Sequence, residues 1–92
     1  MIVRILGEGQ RELPAEHVDE LNTLDQGLAD AVGAGDEVGF AQQLTTLLQR
    51  VRTVGVPIPD HVLTPSEAIL PGEGSSLGEV RDLLGEHGLI PG

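Results

Sequence analysis

Hydrophobic and polar residues alternate with the period of a helix in the segment from Asp36 to Gly55. Its apolar positions follow one another at spacings of four, three, one and three residues, which places them along one side of a helix about four turns long. These positions are Phe40, Leu44, Leu47, Leu48 and Val51. Asp36 can cap the amino end of this helix. Gly55, with Pro57 two residues beyond it, is predicted to end the helix in the left-handed conformation.

A second helix is predicted on the amino-terminal side of this segment. It begins after Pro14, which suits a first helical turn because its missing N–H needs no partner there, and it ends at residues 33–35. Its apolar positions are Val18, Leu21, Leu24, Leu28 and Val32. Only a short Gly-Ala-Gly segment separates the two helices, so we expect them to be antiparallel neighbours.

A third helix is predicted near the carboxyl end of the chain. Ser76 and Glu79 have the spacing of a capping box, and the helix is expected to end near residues 85–88. Leu89 and Ile90 are then expected to fold back and make the hydrophobic contact that commonly follows a glycine cap.

Extended structure is predicted at the amino terminus. Residues 1–6 are rich in β-branched residues and apolar on both faces apart from Arg4, which is typical of a strand covered on most of its surface. Residues 7–9 suit a turn, and residues 10–13 are expected to return as a second strand. Four prolines exclude a helix between residues 56 and 74, but residues 66–70 are predicted to form a third strand beside the first. The sequence thus predicts an α+β fold, with an N-terminal β-hairpin packed with three amphipathic helices.

Composition and charge narrow the functional classes. The 92 residues suit one domain and include fifteen acidic residues, five arginines and no lysine, giving a formal net charge of −10. Such a surface repels phosphate backbones and anionic lipid headgroups. We therefore expect no direct binding to nucleic acid or membrane. A basic protein partner would fit this charge, and so would solubility alone. No apolar run is long enough to cross a bilayer, and the first ten residues do not resemble a signal peptide, so the expected location is cytoplasmic.

Residues able to carry chemistry form no recognised motif. The chain has no cysteine, and His17, His61 and His87 lack metal-ligand spacing. The acids lie mainly opposite the apolar stripes, where solvation accounts for them better than catalysis does. The three Gly-x-Gly segments contain or adjoin an acid, so they are interpreted as turns rather than phosphate-binding loops. Ser66 and Ser76 lack a nucleophile elbow and are interpreted as turn and cap residues. We assign no catalytic, cofactor-binding or metal residue and expect a protein that is not an enzyme.

Five segments, in order along the whole chain, carry a family resemblance. They are MIVRILGEGQ at 1–10, DELNTLDQGLADAV at 19–32, GDE at 35–37, VGVPIPDHVLTPSEAILP at 54–71 and GEVRDLLGEHGLIPG at 78–92. The opening MIVRILGEGQ and the closing GLIPG are the most specific pieces. Together the five segments resemble the PspA-associated protein family (PspAA).

The resemblance implies a three-helix protein of the phage-shock envelope-stress system. Its expected function is that of a non-enzymatic adaptor or regulator of a PspA-like coiled-coil protein, which would recruit it to the inner face of the cell membrane. On charge alone, Asp19, Glu20 and Asp30 are the predicted docking surface. Two alternatives stay open. One is a structural homodimer formed through Leu89, Ile90 and the third helix. The other is a small enzyme or ligand binder, which would show a pocket lined by convergent polar groups.

Overall fold

A computed structural model describes residues 1–62, 64–84 and 89 of the chain. In these residues the α+β class is confirmed, with three α-helices and a four-stranded mixed sheet. The elements in chain order are β1 (Ile2–Ile5), β2 (Gly9–Glu12), α1 (Val18–Ala34), α2 (Glu37–Val54), β3 (Val56–Pro57), β4 (Ala68–Leu70) and α3 (Leu77–Leu83).

The sheet has the strand order β3-β2-β1-β4. Strands β1 and β2 are antiparallel, which confirms the predicted hairpin, and β4 pairs in parallel with β1, which confirms the third strand. Strand β3 pairs with β2 at the far edge and was not predicted. Its two residues include Pro57, which a sheet tolerates at an edge because the missing N–H breaks no internal ladder. A strand this short has no alternation of its own that a sequence pattern could reveal.

Helices α1 and α2 form the predicted helical hairpin. Gly35 ends α1 with φ 69°, and Asp36 caps α2 by accepting a hydrogen bond at its Oδ1 from the Gly39 N–H (3.0 Å). Arg50, near the end of α2, pairs with Glu20, near the start of α1, so the helices run antiparallel. All five predicted apolar positions of α2 are buried. In α1 the positions Leu21, Leu28 and Val32 are buried, whereas Val18 and Leu24 are half-buried.

Two predicted helix boundaries are wrong. Gly55 is extended (φ −80°, ψ 139°) because the chain passes directly from α2 into β3. It is needed for space instead, since a Cβ there would lie 2.6 Å from the Val51 carbonyl oxygen. Pro14 is also extended (φ −61°, ψ 142°) and precedes a 3-10 turn at Ala15–His17. The sheet delays the helix, because Leu13 still donates to the carbonyl of Met1.

The carboxyl-terminal region joins the same core. Ser76 Oγ accepts from the Glu79 N–H (3.1 Å), as the predicted capping box requires of its first residue. Helix α3 ends at Leu83, and Val80 is fully buried. The predicted end at residues 85–88 lies outside the described residues, as does Ile90. Leu89 is 7% exposed and donates its N–H to Asp25 Oδ1 (3.0 Å), so it has returned to the core.

Burial alternates along the central strand. Val3 and Ile5 are fully buried beneath the helices, whereas Arg4 and Leu6 are exposed. The prediction that β1 is covered on most of its surface is therefore wrong for one face. All three helices contribute buried side chains to one core on the inner side of the sheet, and the apolar residues of the other side remain partly open to solvent.

Candidate functional site

The three acids predicted as a docking surface do not form one cluster. Asp19 and Asp30 lie on the same side of α1 but about 16 Å apart along its axis. Glu20 points about 100° away from that side. Asp30 accepts a hydrogen bond from Gln26 Nε2 (3.0 Å), so its carboxylate is partly engaged within its own helix.

Glu20 takes part in an ion pair that joins the two long helices. Its carboxylate accepts from Arg50 and lies 3.7 Å from His17 Nδ1. The hydrogen bond from Arg50 lowers the pKa of Glu20, and it raises the pKa of the Arg50 guanidinium. Glu20 is therefore already compensated and offers a partner less charge than its position in the sequence predicted.

A second ion-pair cluster ties the hairpin tip to the helices. Arg52, in the last turn of α2, donates to Glu8 in the β1–β2 turn (Nε to Oε1, 2.9 Å) and to Glu73 before α3 (Nη1 to Oε1, 3.1 Å). The hydrogen bond from Arg52 lowers the pKa of Glu8. The partners of Arg50 and of Arg52 are thus all distant from them in sequence.

The uncovered side of the sheet presents a mixed apolar and charged surface. We call this surface, formed by Ile2, Arg4, Leu6 and Ile69, the outer sheet face. Arg4 lies directly opposite Ile69 in the β1–β4 register, and Leu6 follows two residues along. Leu6 and Ile69 are each 47% exposed, which is high for large apolar side chains of a sheet.

A cleft of about 510 Å³ opens beside Arg4, under the segment that connects β3 to β4. Gln10 is 9% exposed at its base, and its Nε2 donates to the Thr64 carbonyl (2.6 Å) and to Ser66 Oγ (2.7 Å). These bonds hold the connecting segment over β2, so the Gln10 amide is occupied. The cleft is lined by Arg4, Gln10, Ile58, Asp60, Val62, Thr64 and Pro65.

The cleft does not make a strong case for a ligand binder. Arg4 and Asp60 are its charged groups, both are exposed, and no ion pair joins them in the described part of the chain. Specific small-molecule sites usually enclose most of the ligand surface and direct several polar groups inward. This cleft is open, and its most buried polar group is already bonded.

The remaining residues considered for chemistry are dispersed. His61 lies in an exposed turn, and His87 lies outside the described residues. Within residues 1–62, 64–84 and 89, no three histidine or acidic side chains converge as metal ligands would. Ser76 caps α3, which confirms its interpretation as a cap residue. Ser66 lies in no turn and accepts a hydrogen bond from Gln10 instead. The three Gly-x-Gly segments each contain a glycine with positive φ, as turns require: Gly7, Gly9, Gly35 and Gly74.

One buried acid was missed by the sequence analysis. Asp25 is 2% exposed and binds the Leu89 N–H, which anchors the carboxyl-terminal segment to α1. It lies four residues after Leu21 and three before Leu28, so it interrupts the apolar stripe of α1. An acid at such a position is the signal that could have identified it.

Comparison with known proteins gives one result. The family model described as PspA-Associated protein matches residues 1–92. No curated protein and no solved structure matches the chain. In the described part of the chain, none of the helices combines the length and apolar content needed to cross a membrane.

Proposed function

The chain belongs to the PspA-associated protein family, and on this premise we propose that it is a non-enzymatic adaptor that binds and modulates a PspA-like coiled-coil protein in the phage-shock response. The observation that carries the proposal is the family match, which extends over all 92 residues. The association in the family's name is therefore the first function to test.

The physical properties of the chain support a protein partner. Its net charge of −10 disfavours contact with anionic lipids and nucleic acids, while it favours encounter with a basic protein surface. The outer sheet face adds exposed apolar area, which a partner could bury. We propose that the protein is cytoplasmic and reaches the membrane only through this partner.

The homodimer alternative has less support than the adaptor. Of the two residues at its proposed centre, Leu89 is buried in the core of its own chain and cannot offer surface to a second copy. Leu83 of α3 is 43% exposed and could contribute to such a contact. However, two copies of a chain with a net charge of −10 repel one another. Light scattering of the purified chain distinguishes the two, since the adaptor needs no partner copy.

Co-purification with a PspA-like protein from the same organism tests the proposal directly. Tagged chain and partner are co-expressed and captured on the tag, and their dissociation constant is then measured by titration calorimetry. We expect a stoichiometric complex, which would weaken at high salt if charge steers the encounter. Failure of the two purified proteins to bind in low salt would refute the proposal.

Flotation with anionic vesicles tests the location. The chain alone should stay at the bottom of the gradient and should float only when the PspA-like protein is added. Flotation of the chain by itself would contradict indirect recruitment while leaving the partner interaction open to the capture experiment.

A further inference from the structure

We propose that the outer sheet face docks an amphipathic helix of the partner, with Arg4 at the centre of the contact. The inference rests on the proposed adaptor function and adds to it a surface and the chemistry of the partner segment. It replaces the acids of α1 as the primary docking site.

Arg4 borders apolar side chains on the β4 side and along its own strand, whereas Gln10 lies opposite it on β2. Ile69 lies opposite Arg4 on the neighbouring strand, and Leu6 lies two residues along the same strand. Side chains at such positions are neighbours on one face of a sheet. Leu6 and Ile69 together leave a contiguous area for the apolar stripe of a helix. Arginine beside exposed apolar side chains is also a frequent composition of binding hot spots.

The charge on Arg4 is available, in contrast to that of most other arginines. Arg11 donates to the carbonyls of Arg52 and Gly55 at the end of α2, and Arg50 and Arg52 are held in ion pairs. Arg4 is exposed and has no ion pair among the residues that the structure describes. A carboxylate from a partner would therefore gain a charge-assisted hydrogen bond without displacing an existing one.

The surroundings of the outer sheet face are acidic. Glu67 lies on the same side of β4 and is exposed, and Asp60 lines the adjoining cleft. Glu12 flanks Ile2 on β2, where the amino terminus lies 3.8 Å from its carboxylate. The complementary segment is a helix whose apolar stripe includes one carboxylate for Arg4 and is bordered by lysine or arginine.

A second copy of the chain fits this surface poorly. In a twofold dimer centred on Arg4, the two guanidinium groups would approach each other, as would the acids around them. A partner with the opposite arrangement of charges avoids both repulsions. The connecting segment over β2 also limits the open width to β1 and β4, which suits one helix better than a second sheet.

Matched substitutions test the surface in the complete chain. Arg4→Glu is compared with Arg81→Glu, because Arg81 is also exposed, lies on α3 and undergoes the same change in charge. Ile69→Thr is compared with Val38→Thr, since Val38 is 70% exposed in the first turn of α2. Binding to the purified PspA-like protein is measured by calorimetry, and each variant's thermal midpoint is recorded to establish that it folds.

We expect Arg4→Glu to weaken binding about tenfold or more and Ile69→Thr about fivefold, with both control variants within about twofold of the wild type. Replacing each partner acid in turn by arginine should reveal one partner variant that binds Arg4→Glu more tightly than the wild-type chain. That reciprocal gain would identify the carboxylate that meets Arg4.

The possible results separate the surface from the function. If the wild-type chain binds and the face variants bind as tightly as their controls, the surface is wrong and the adaptor function stands. If the wild-type chain does not bind, both proposals fail. A dimer of the chain alone that Arg4→Glu dissociates would assign the face to self-association instead. Flotation of the wild-type chain that Arg4→Glu abolishes would assign it to lipid.

Discussion

The two faces of the sheet differ in how far the rest of the chain covers them. On the inner face, Val3, Ile5 and Leu70 are fully buried under the helices, whereas on the outer face Leu6 and Ile69 remain half exposed. Both faces are rich in aliphatic residues, so hydrophobicity alone does not decide which is covered. The difference comes from the connections. Among the described residues, all three helices pack on the inner side, and only the segment between β3 and β4 crosses part of the outer side. The inner face should therefore control folding, and the outer face should be largely free of that role.

The largest expected difference in the free energy of unfolding is between substitutions at two adjacent residues of β4. Leu70→Ala should lower the free energy of unfolding by about 2–5 kcal/mol, because it leaves a cavity in a closely packed core. Ile69→Ala should lower it by only about 1 kcal/mol, because Ile69 is already 47% exposed in the folded chain. Urea denaturation of both variants measures the contrast. Equal losses would show that the outer face is also structural and would remove the basis for treating it as a binding surface.

Asp25 tests whether the inner side depends on a polar contact as well. Asp25→Ala should cost about 1–3 kcal/mol, because the buried Leu89 N–H then loses its acceptor. Asp25→Asn keeps an oxygen at that position and should cost less. Asp30→Ala is the matched control on the exposed side of α1 and should be nearly neutral. Denaturation curves for the three variants would contradict the assignment if Asp25→Ala and Asp30→Ala behaved alike.

Gln10 marks the boundary between the covered and open parts of the outer face. Gln10→Ala removes both hydrogen bonds that hold the connecting segment, to Thr64 and Ser66, and should cost about 1–2 kcal/mol. Amide hydrogen exchange should also increase in residues 58–66 more than in α1 or α2. A uniform increase over the whole chain would mean instead that Gln10 supports global stability and not the local cover.

The sequence pattern predicted the elements that it marks locally. It failed where the conformation or exposure of a residue depends on another element packed against it. The α2 stripe, the β1–β2 hairpin and the β4 strand follow from local pattern, and all three are present. The conformation of Gly55 depends on β3, which has two residues and no pattern of its own. The exposure of Leu6 depends on which face of the sheet the helices cover, and nothing in residues 1–6 indicates that face.

The candidate surface shows the same division. Charge counting selected Glu20 because the sequence does not reveal that Arg50, thirty residues away, compensates it. Arg4 was visible in the sequence as the polar exception in an apolar strand. Its significance required the finding that the exception lies on the open face and that it has no ion pair among the described residues. Sequence reasoning therefore identified the unusual residue but not its accessibility.

The smallest expected effect on the free energy of unfolding comes from the ion pairs that link the β1–β2 hairpin to α2. These ion pairs belong to neither face of the sheet. Arg52→Gln should cost about 0.5–1 kcal/mol at pH 7, because the ion pairs with Glu8 and Glu73 are partly exposed. Arg52 lowers the pKa of Glu8 below its ordinary value of 4.5, so the folded chain favours the carboxylate. The stabilisation from this pair is therefore complete above about pH 4.5 and declines as the pH falls through the lowered pKa of Glu8.

Urea denaturation of wild type and Arg52→Gln at several pH values between about 3 and 7 measures this decline. The difference between the two chains should narrow at the acid end, whereas Arg81→Gln should show no such change, because no ion pair involves Arg81 in the described residues. All other acids are common to the chains compared, so their titration cancels in the difference. If the difference in free energy of unfolding between wild type and Arg52→Gln stayed constant with pH, Arg52 would stabilise the fold through the packing of its aliphatic stem. The hairpin tip would then be held by van der Waals contact rather than by charge.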